Sequence, residues 1–294
     1  MSHAYDVITQ QMLTHLEAGT APWRQPWRSP GVPKNLFTQR PYRGMNVWLL
    51  VSRPYASPFW LTYRQADSIG GWVRKGEKGT TVLFWRFAEE ETEDGTRPVS
   101  RSHRRAPLLR TYTVFNVEQC ELPASLRATL ALQPPATPEP LLQCERIIRE
   151  MPHPPRIVHE ARTAFYAPQQ DLVNLPPRVL FPEPAEFFAT AYHELVHATG
   201  HSKRLARPGV MDLAPFASHA YSLEELTAEL GAAYLCGYCG IAPLTLENSV
   251  AYIASWLERL YQDKTLFWQA ARQAQRAVDF ILGTTNTVQD ETAA

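Results

Sequence analysis

The chain has 294 residues, 45% of them apolar and 20% charged, a balance that supports a packed core and excludes wholesale disorder. At about 150 residues per domain, two domains are expected. No apolar run approaches the roughly 18 residues of a membrane span, and MSHAYDVITQ lacks the basic-then-apolar pattern of a secretory signal. Four cysteines, Cys120, Cys144, Cys236 and Cys239, do not make a disulfide framework in a chain this long, so a reducing, cytoplasmic location is expected. The net charge of +0 is a cancellation: residues 1–125 carry 16 Lys and Arg against 11 Asp and Glu, and residues 126–294 carry 13 against 18. Such an asymmetry suits one half that meets polyanions and another with a different task.

The first half opens with an amphipathic helix pattern, Val7, Met12, Leu13 and Leu16, ending near Gly19. YRGMNVWLL fits either helix or strand. FWLTY, TTVLFWRF and RTYTVFNV read as strands from their aromatic and β-branched content. The acidic-then-basic run at 89–105 reads as an excursion between two of them, with Asp94-Gly95 at its turn. PPATPEP at 134–140 is stiff and reads as a linker. The expected layout is therefore a first domain over 1–130, a linker over 131–140 and a second domain over 141–294. In the second, RIVHE, TAFY and DLVNLP look like short strands, expected to form a small antiparallel sheet. Helices are expected from Pro184 to Gly200, from Ser222 to Cys239, from Thr245 to Tyr261 and from Leu266 to Leu282. The fold class is α+β, with an α+β N-terminal domain and a mainly helical C-terminal one.

His193-Glu194-Leu195-Val196-His197 is the most informative segment. A spacing of four puts both imidazoles on one helical face, where they can share Zn²⁺ or another divalent transition metal, with Glu194 placed to take a proton from an activated water. On a helix this apolar, two histidines without a role would be costly. The metzincin pattern fails, since Lys203 stands where a third histidine is needed, and His201 follows the helix-ending Gly200. The third ligand is expected on SLEELTAELGAAYLCG. Ser222-x-x-Glu225 reads as a capping box that would turn Glu225 toward the helix start. Glu229 is therefore the first choice, with Glu225 the alternative as ligand or as a supporting acid. Glu224 reads as a solvated residue, and Cys236 and Cys239 read as core.

Six of the eight tryptophans fall in residues 1–88, interleaved with cations in WRQPWR, YRGMNVW, WLTYR, WVRKGEK and FWRF. Rings that stack on bases beside cations that track phosphates suit single-stranded nucleic acid. The residues expected to contact it are Trp23, Arg24, Trp27, Arg28, Tyr42, Arg43, Arg64, Trp72, Arg74, Lys75, Lys78 and Arg86. Trp23, Trp27 and Trp72 are expected as exposed platforms; Trp48, Trp60 and Trp85, set in apolar runs, as core.

PWRQPW, YRGMNVWLL, WLTYRQADSIGGWVRKGEKGTTVLFW, FNVEQ, HELVHATGHSKRL, EELTAELGAAYLC and SWLERLYQDKTLFWQAARQAQRAVDFIL cover much of the chain. In these stretches it resembles the ArdC-type antirestriction proteins of conjugative plasmids, and its N-terminal part also resembles that of TraC-type primases. The resemblance implies an N-terminal domain for single-stranded DNA, a C-terminal zincin-like metallopeptidase domain acting on an unidentified protein, and protection of incoming plasmid DNA from restriction. Two rivals are a DNA-binding shield with a structural or vestigial metal site, and an accessory to priming or DNA processing.

Overall fold

The computed structural model describes residues 2–24, 31–86, 108–131, 139–211, 218–241 and 250–284, and side chains within these ranges except for 2–8, 24, 85–86, 108–109, 131 and 250–253. The 89–105 excursion and most of the 131–140 linker lie outside them.

Helix α1 (Ser2–Glu17) is followed by β1 (Lys34–Asn35), α2 (Met45–Val51), β2 (Phe59–Thr62), α3 (Tyr63–Ser68), β3 (Trp72–Val73), β4 (Thr80–Arg86), β5 (Leu108–Asn116), β6 (Cys120–Glu121) and α4 (Ala124–Ala131). YRGMNVWLL thus resolves to a helix. Strands β1, β2, β5 and β4 form a sheet in that order, with β1 parallel to β2 and the other pairs antiparallel. Thr62 ends β2 by capping α3: its side chain accepts from the Gln65 backbone N–H while the Gln65 side chain bonds back to Thr62. That reversal carries Tyr63 out of the expected strand and onto an exposed helix start. Asn46 on α2 exchanges two hydrogen bonds with the Leu83 backbone and so occupies part of the edge of β4.

The second half contains α5 (Pro140–Glu150), β7 (Arg156–Val158), β8 (Phe165–Ala167), β9 (Leu172–Asn174), α6 (Pro184–Thr199), α7 (Pro208–Met211), α8 (His219–Cys239), α9 (Val250–Gln262) and α10 (Leu266–Ile281). The small sheet has the order β7-β9-β8. It is mixed rather than wholly antiparallel: the chain crosses from β7 over to β8 before β9 inserts between them, parallel to the first and antiparallel to the second.

One apolar core crosses the expected domain border. Met12, Leu13 and Leu16 of α1 and Trp23 belong to the same buried cluster as Trp256 of α9 and Phe267 of α10. Arg43 pairs with Asp279, and Gly44 N–H donates to the Gln275 side chain, both partners lying on α10. All four cysteines are buried and unbridged, and Cys236 and Cys239 lie in the core as expected.

Helix α8 packs along α6, and Gly231 sets how closely. A Cβ at that position would fall 2.7 Å from Val196 Cγ2. Alanine in place of a mid-helix glycine ordinarily stabilises by about 1 kcal/mol, whereas overpacking costs about 1–3 kcal/mol. Gly231→Ala is therefore expected to lower the midpoint of chemical unfolding. A raised midpoint would show slack between the two helices that the structure does not have.

Candidate metal centre and nucleic-acid face

Pro184 at the first position and Gly200 at the C-cap bound α6 where the sequence places them. Within it, His193 and His197 stand one turn apart on one face, while Leu195 and Val196 turn inward and are fully buried. His197 Nε2 lies 3.1 Å from His193 Nε2. The two oxygens of Glu225 lie 3.7 Å from His193 Nε2 and 3.7 Å from His197 Nε2. Among the described residues, His193, His197 and Glu225 alone bring three such donor atoms within 4.8 Å of one another.

This geometry places Glu225, the alternative candidate, with the histidines rather than Glu229, the first choice. Helix α8 begins at His219, a turn earlier than the sequence suggests, with the Ser218 side chain capping the Tyr221 N–H. Ser222 then lies inside the helix, its hydroxyl donating to Ser218 O. No capping box draws Glu225 back, and its carboxylate reaches the imidazoles; Glu229, one turn further along, is not in the donor group. Glu224 is not solvated. It is buried, faces His197 Nδ1 at 3.1 Å and accepts two hydrogen bonds from Arg207. The flanking Leu223 and Leu226 were the available sign that this stretch of the helix turns inward. His201 is buried and accepts from the Lys203 N–H, outside the donor group as expected.

Glu194 projects to a different side of α6. Burial, reinforced by the charge of Glu225, pushes its carboxyl pKa up against the pull of His197 and of a hydrogen bond from the Tyr166 backbone N–H. Burial also raises Glu225, helped by Glu229 and Glu224 and opposed by His197. Glu224 goes the other way. Burial would raise it, but hydrogen bonds from Arg207 and His197 prevail and hold it down at about 2. For His197 burial disfavours the charged ring, yet the hydrogen bond to Glu224 and the surrounding carboxylates raise its pKa.

The expected DNA-contacting residues are divided by the structure. Trp72 is 59% exposed, and Arg64, Arg74, Lys75 and Lys78 are exposed around it in sequence. Tyr63, 60% exposed at the start of α3, joins them and was missed because its segment reads as strand. Arg74 is engaged by Glu77 and the Glu118 carbonyl. Trp23 is not a platform: it is 1% exposed and packs edge-on against Trp256 at 6.2 Å and at a tilt against Phe267 at 5.4 Å. Tyr42 is likewise buried, with Trp60, Val82 and Val114, and Arg43 is spent on Asp279. Trp48 and Trp60 are buried as expected. Trp27 and Arg28, and the side chains of Arg24, Trp85 and Arg86, lie outside the described residues. No helix among the described residues is long and apolar enough to cross a membrane.

Residues 2–115 match the model of the N-terminal domain of the anti-restriction factor ArdC, and residues 143–273 match a zincin-like metallopeptidase model. The class is thus an ArdC-type N-terminal domain joined to a zincin-like domain. Over nearly its whole length the chain is similar to the antirestriction protein ArdC of plasmid R388: at 35% identity the metal-free crystal structure superposes with a TM-score of 0.74, covering 96% of this chain and 97% of that one. The Mn(II)-bound crystal structure of that protein matches at 34% identity with a TM-score of 0.72, covering 97% of this chain and 99% of the other. The chain belongs to the ArdC family of antirestriction proteins. It is also 35% identical to a DNA primase TraC of Escherichia coli over 95% of its own length, but spans only 27% of that protein. Against the uncharacterized protein y4eC of Sinorhizobium fredii the identity is 33%, covering 94% of this chain and 91% of the relative.

The placement of the donors separates the two glutamates experimentally. Glu225→Ala is expected to weaken binding of added Zn²⁺ or Mn(II) to the purified protein, read by titration, while Glu229→Ala, which leaves all three donors in place, retains one ion per chain. Retention in the first variant with loss in the second would assign the ligand to Glu229.

Proposed function

We propose that this chain binds single-stranded DNA through the exposed N-terminal residues Tyr63, Arg64, Trp72, Lys75 and Lys78, and hydrolyses peptide bonds of a protein substrate at the His193–His197–Glu225 centre, protecting transferred plasmid DNA in the recipient cytoplasm. One observation carries the enzymatic part. Two imidazoles and one carboxylate converge, and a second, separately held carboxylate, Glu194, stands beside them without joining the group.

The donor set fits a metal. Two imidazole nitrogens and one carboxylate oxygen suit Zn²⁺ or a similar divalent ion, and three protein ligands leave a position for substrate or water. When bound, such an ion supplies Lewis acidity that polarises the scissile carbonyl and eases deprotonation of water. The remaining chemistry belongs to the protein. Glu194, with a pKa raised by burial, accepts the proton as water oxygen bonds to the carbonyl carbon, then returns it to the amine nitrogen as the C–N bond breaks.

In the N-terminal half the support is the pairing of exposed rings with exposed cations. Trp72 is 59% exposed, and the flat surface of its indole can stack on any base. Lys75 and Lys78 follow in the next turn and can pair with phosphates.

Glu194→Gln preserves the three donors. It is expected to keep bound metal and to lower hydrolysis of an unfolded protein substrate by about 10²–10⁴-fold. Unchanged hydrolysis would remove Glu194 from the reaction, and no hydrolysis by the unaltered protein would favour the DNA-binding shield. Trp72→Ala is expected to weaken binding of a single-stranded oligonucleotide by about 1–3 kcal/mol with thermal stability preserved. Equal binding of single and double strands, insensitive to salt, would refute the nucleic-acid assignment.

A further inference from the structure

Beyond the donor group, α6 ends in a buried polar cluster. Arg207, in the turn that leads from α6 into α7, has a side chain only 7% exposed. Its Nε and Nη2 donate to the two oxygens of Glu224 at 2.8 and 2.6 Å. Nη1 donates to Thr199 Oγ1 at 2.6 Å and Nη2 also to the Val196 carbonyl at 2.7 Å. Glu224 Oε1 in turn faces His197 Nδ1. An ionised carboxylate can only accept, so Nδ1 carries the hydrogen and Nε2 is the atom turned toward His193 and Glu225.

The turn can make these contacts because residue 200 is glycine. Gly200 has a helical φ of −74°, so the requirement is for space. A Cβ there would lie 2.5 Å from Val210 Cγ2 and 3.1 Å from Arg207 Nη2. Only a planar guanidinium can grip both carboxylate oxygens while bonding a helix-end carbonyl and a hydroxyl. The cluster is also poorly explained as a source of stability alone, because a buried ion pair is often matched or bettered by apolar side chains of similar volume.

The geometry points to Arg207 and Glu224 as positioning residues for metal binding: Arg207 immobilises the Glu224 carboxylate, which fixes the tautomer and ring orientation of His197. The inference rests on the metal-centre reading above. It makes the turn after α6 part of the site, although neither residue touches the donor group's central space.

The test is Zn²⁺ affinity, measured by competition with a chromogenic chelator on metal-free full-length protein, alongside thermal unfolding. Arg207→Met with Glu224→Leu removes both buried charges together, avoiding an uncompensated ion. It is expected to unfold near the parent temperature while its affinity falls by about 10–100-fold. Glu224→Gln keeps an acceptor for the Nδ1 hydrogen and is expected to recover most of that loss. Affinity within about twofold of the parent in the folded double variant, while His197→Ala loses binding, overturns this inference and leaves the metal centre standing. Equal, weak binding by the parent and His197→Ala overturns the metal centre itself. Should the double variant fail to fold, Arg207→Lys decides: a single ammonium cannot hold both Glu224 oxygens and the Val196 carbonyl. An intermediate loss of affinity supports the proposal; none overturns it.

Discussion

Everything at the candidate metal centre depends on how closely α8 lies against α6. Three donors from two helices can converge only if the backbones approach, and the contact of Gly231 with Val196 allows that approach. Once the helices are at that distance, the helical repeat assigns the rest. Adjacent residues on α8 point about 100° apart, so Glu225 faces the imidazoles while Glu224 faces Arg207. The same repeat on α6 separates Glu194 from the histidines that flank it.

Gathering carboxylates and imidazoles at a buried helix end carries an electrostatic cost, and the turn after α6 offsets it. The last carbonyls of a helix are electronegative and lack partners within the helix. Here Arg207 takes Val196 O and Arg204 Nε takes Ala198 O at 2.7 Å. Each arginine has its own carboxylate: Glu224 for Arg207, Asp171 for Arg204. Arg204 also bonds the Tyr166 hydroxyl on β8, a strand packed against α6. Two arginines three residues apart thus tie the helix end to both neighbours of the centre, α8 and the small sheet.

The sequence is most legible where spacing along one element suffices. The histidine pair and its glutamate, the limits of α6, the fold class and the buried Trp48 and Trp60 follow from local patterns. The readings that changed depend on partners far away in the chain. Trp23 sits among prolines and polar residues, as an exposed ring would, but its neighbours are Trp256 and Phe267. Arg43 resembles a phosphate contact until α10 brings Asp279 to it. Glu225 ranks second to Glu229 in the sequence because α8 starts one turn earlier than its pattern suggests, which turns an expected capping residue into a member of the donor group. Arg207 gave no signal, because an arginine after a helix is ordinary until Gly200 is seen to make room for it.

Packing across the expected border has a consequence for how the halves work together. With α1 in the core of the C-terminal helices and Arg43 held by α10, the exposed rings and cations of the N-terminal half are carried on the same packed framework as the metal centre. The central claim, that this framework holds a divalent metal on two histidines and Glu225, is tested most directly by anomalous diffraction from crystals grown with Zn²⁺. The account predicts a single anomalous peak bonded to both imidazole Nε2 atoms and a Glu225 oxygen. A peak bonded to Glu229 instead, or to Cys236 and Cys239, would contradict it.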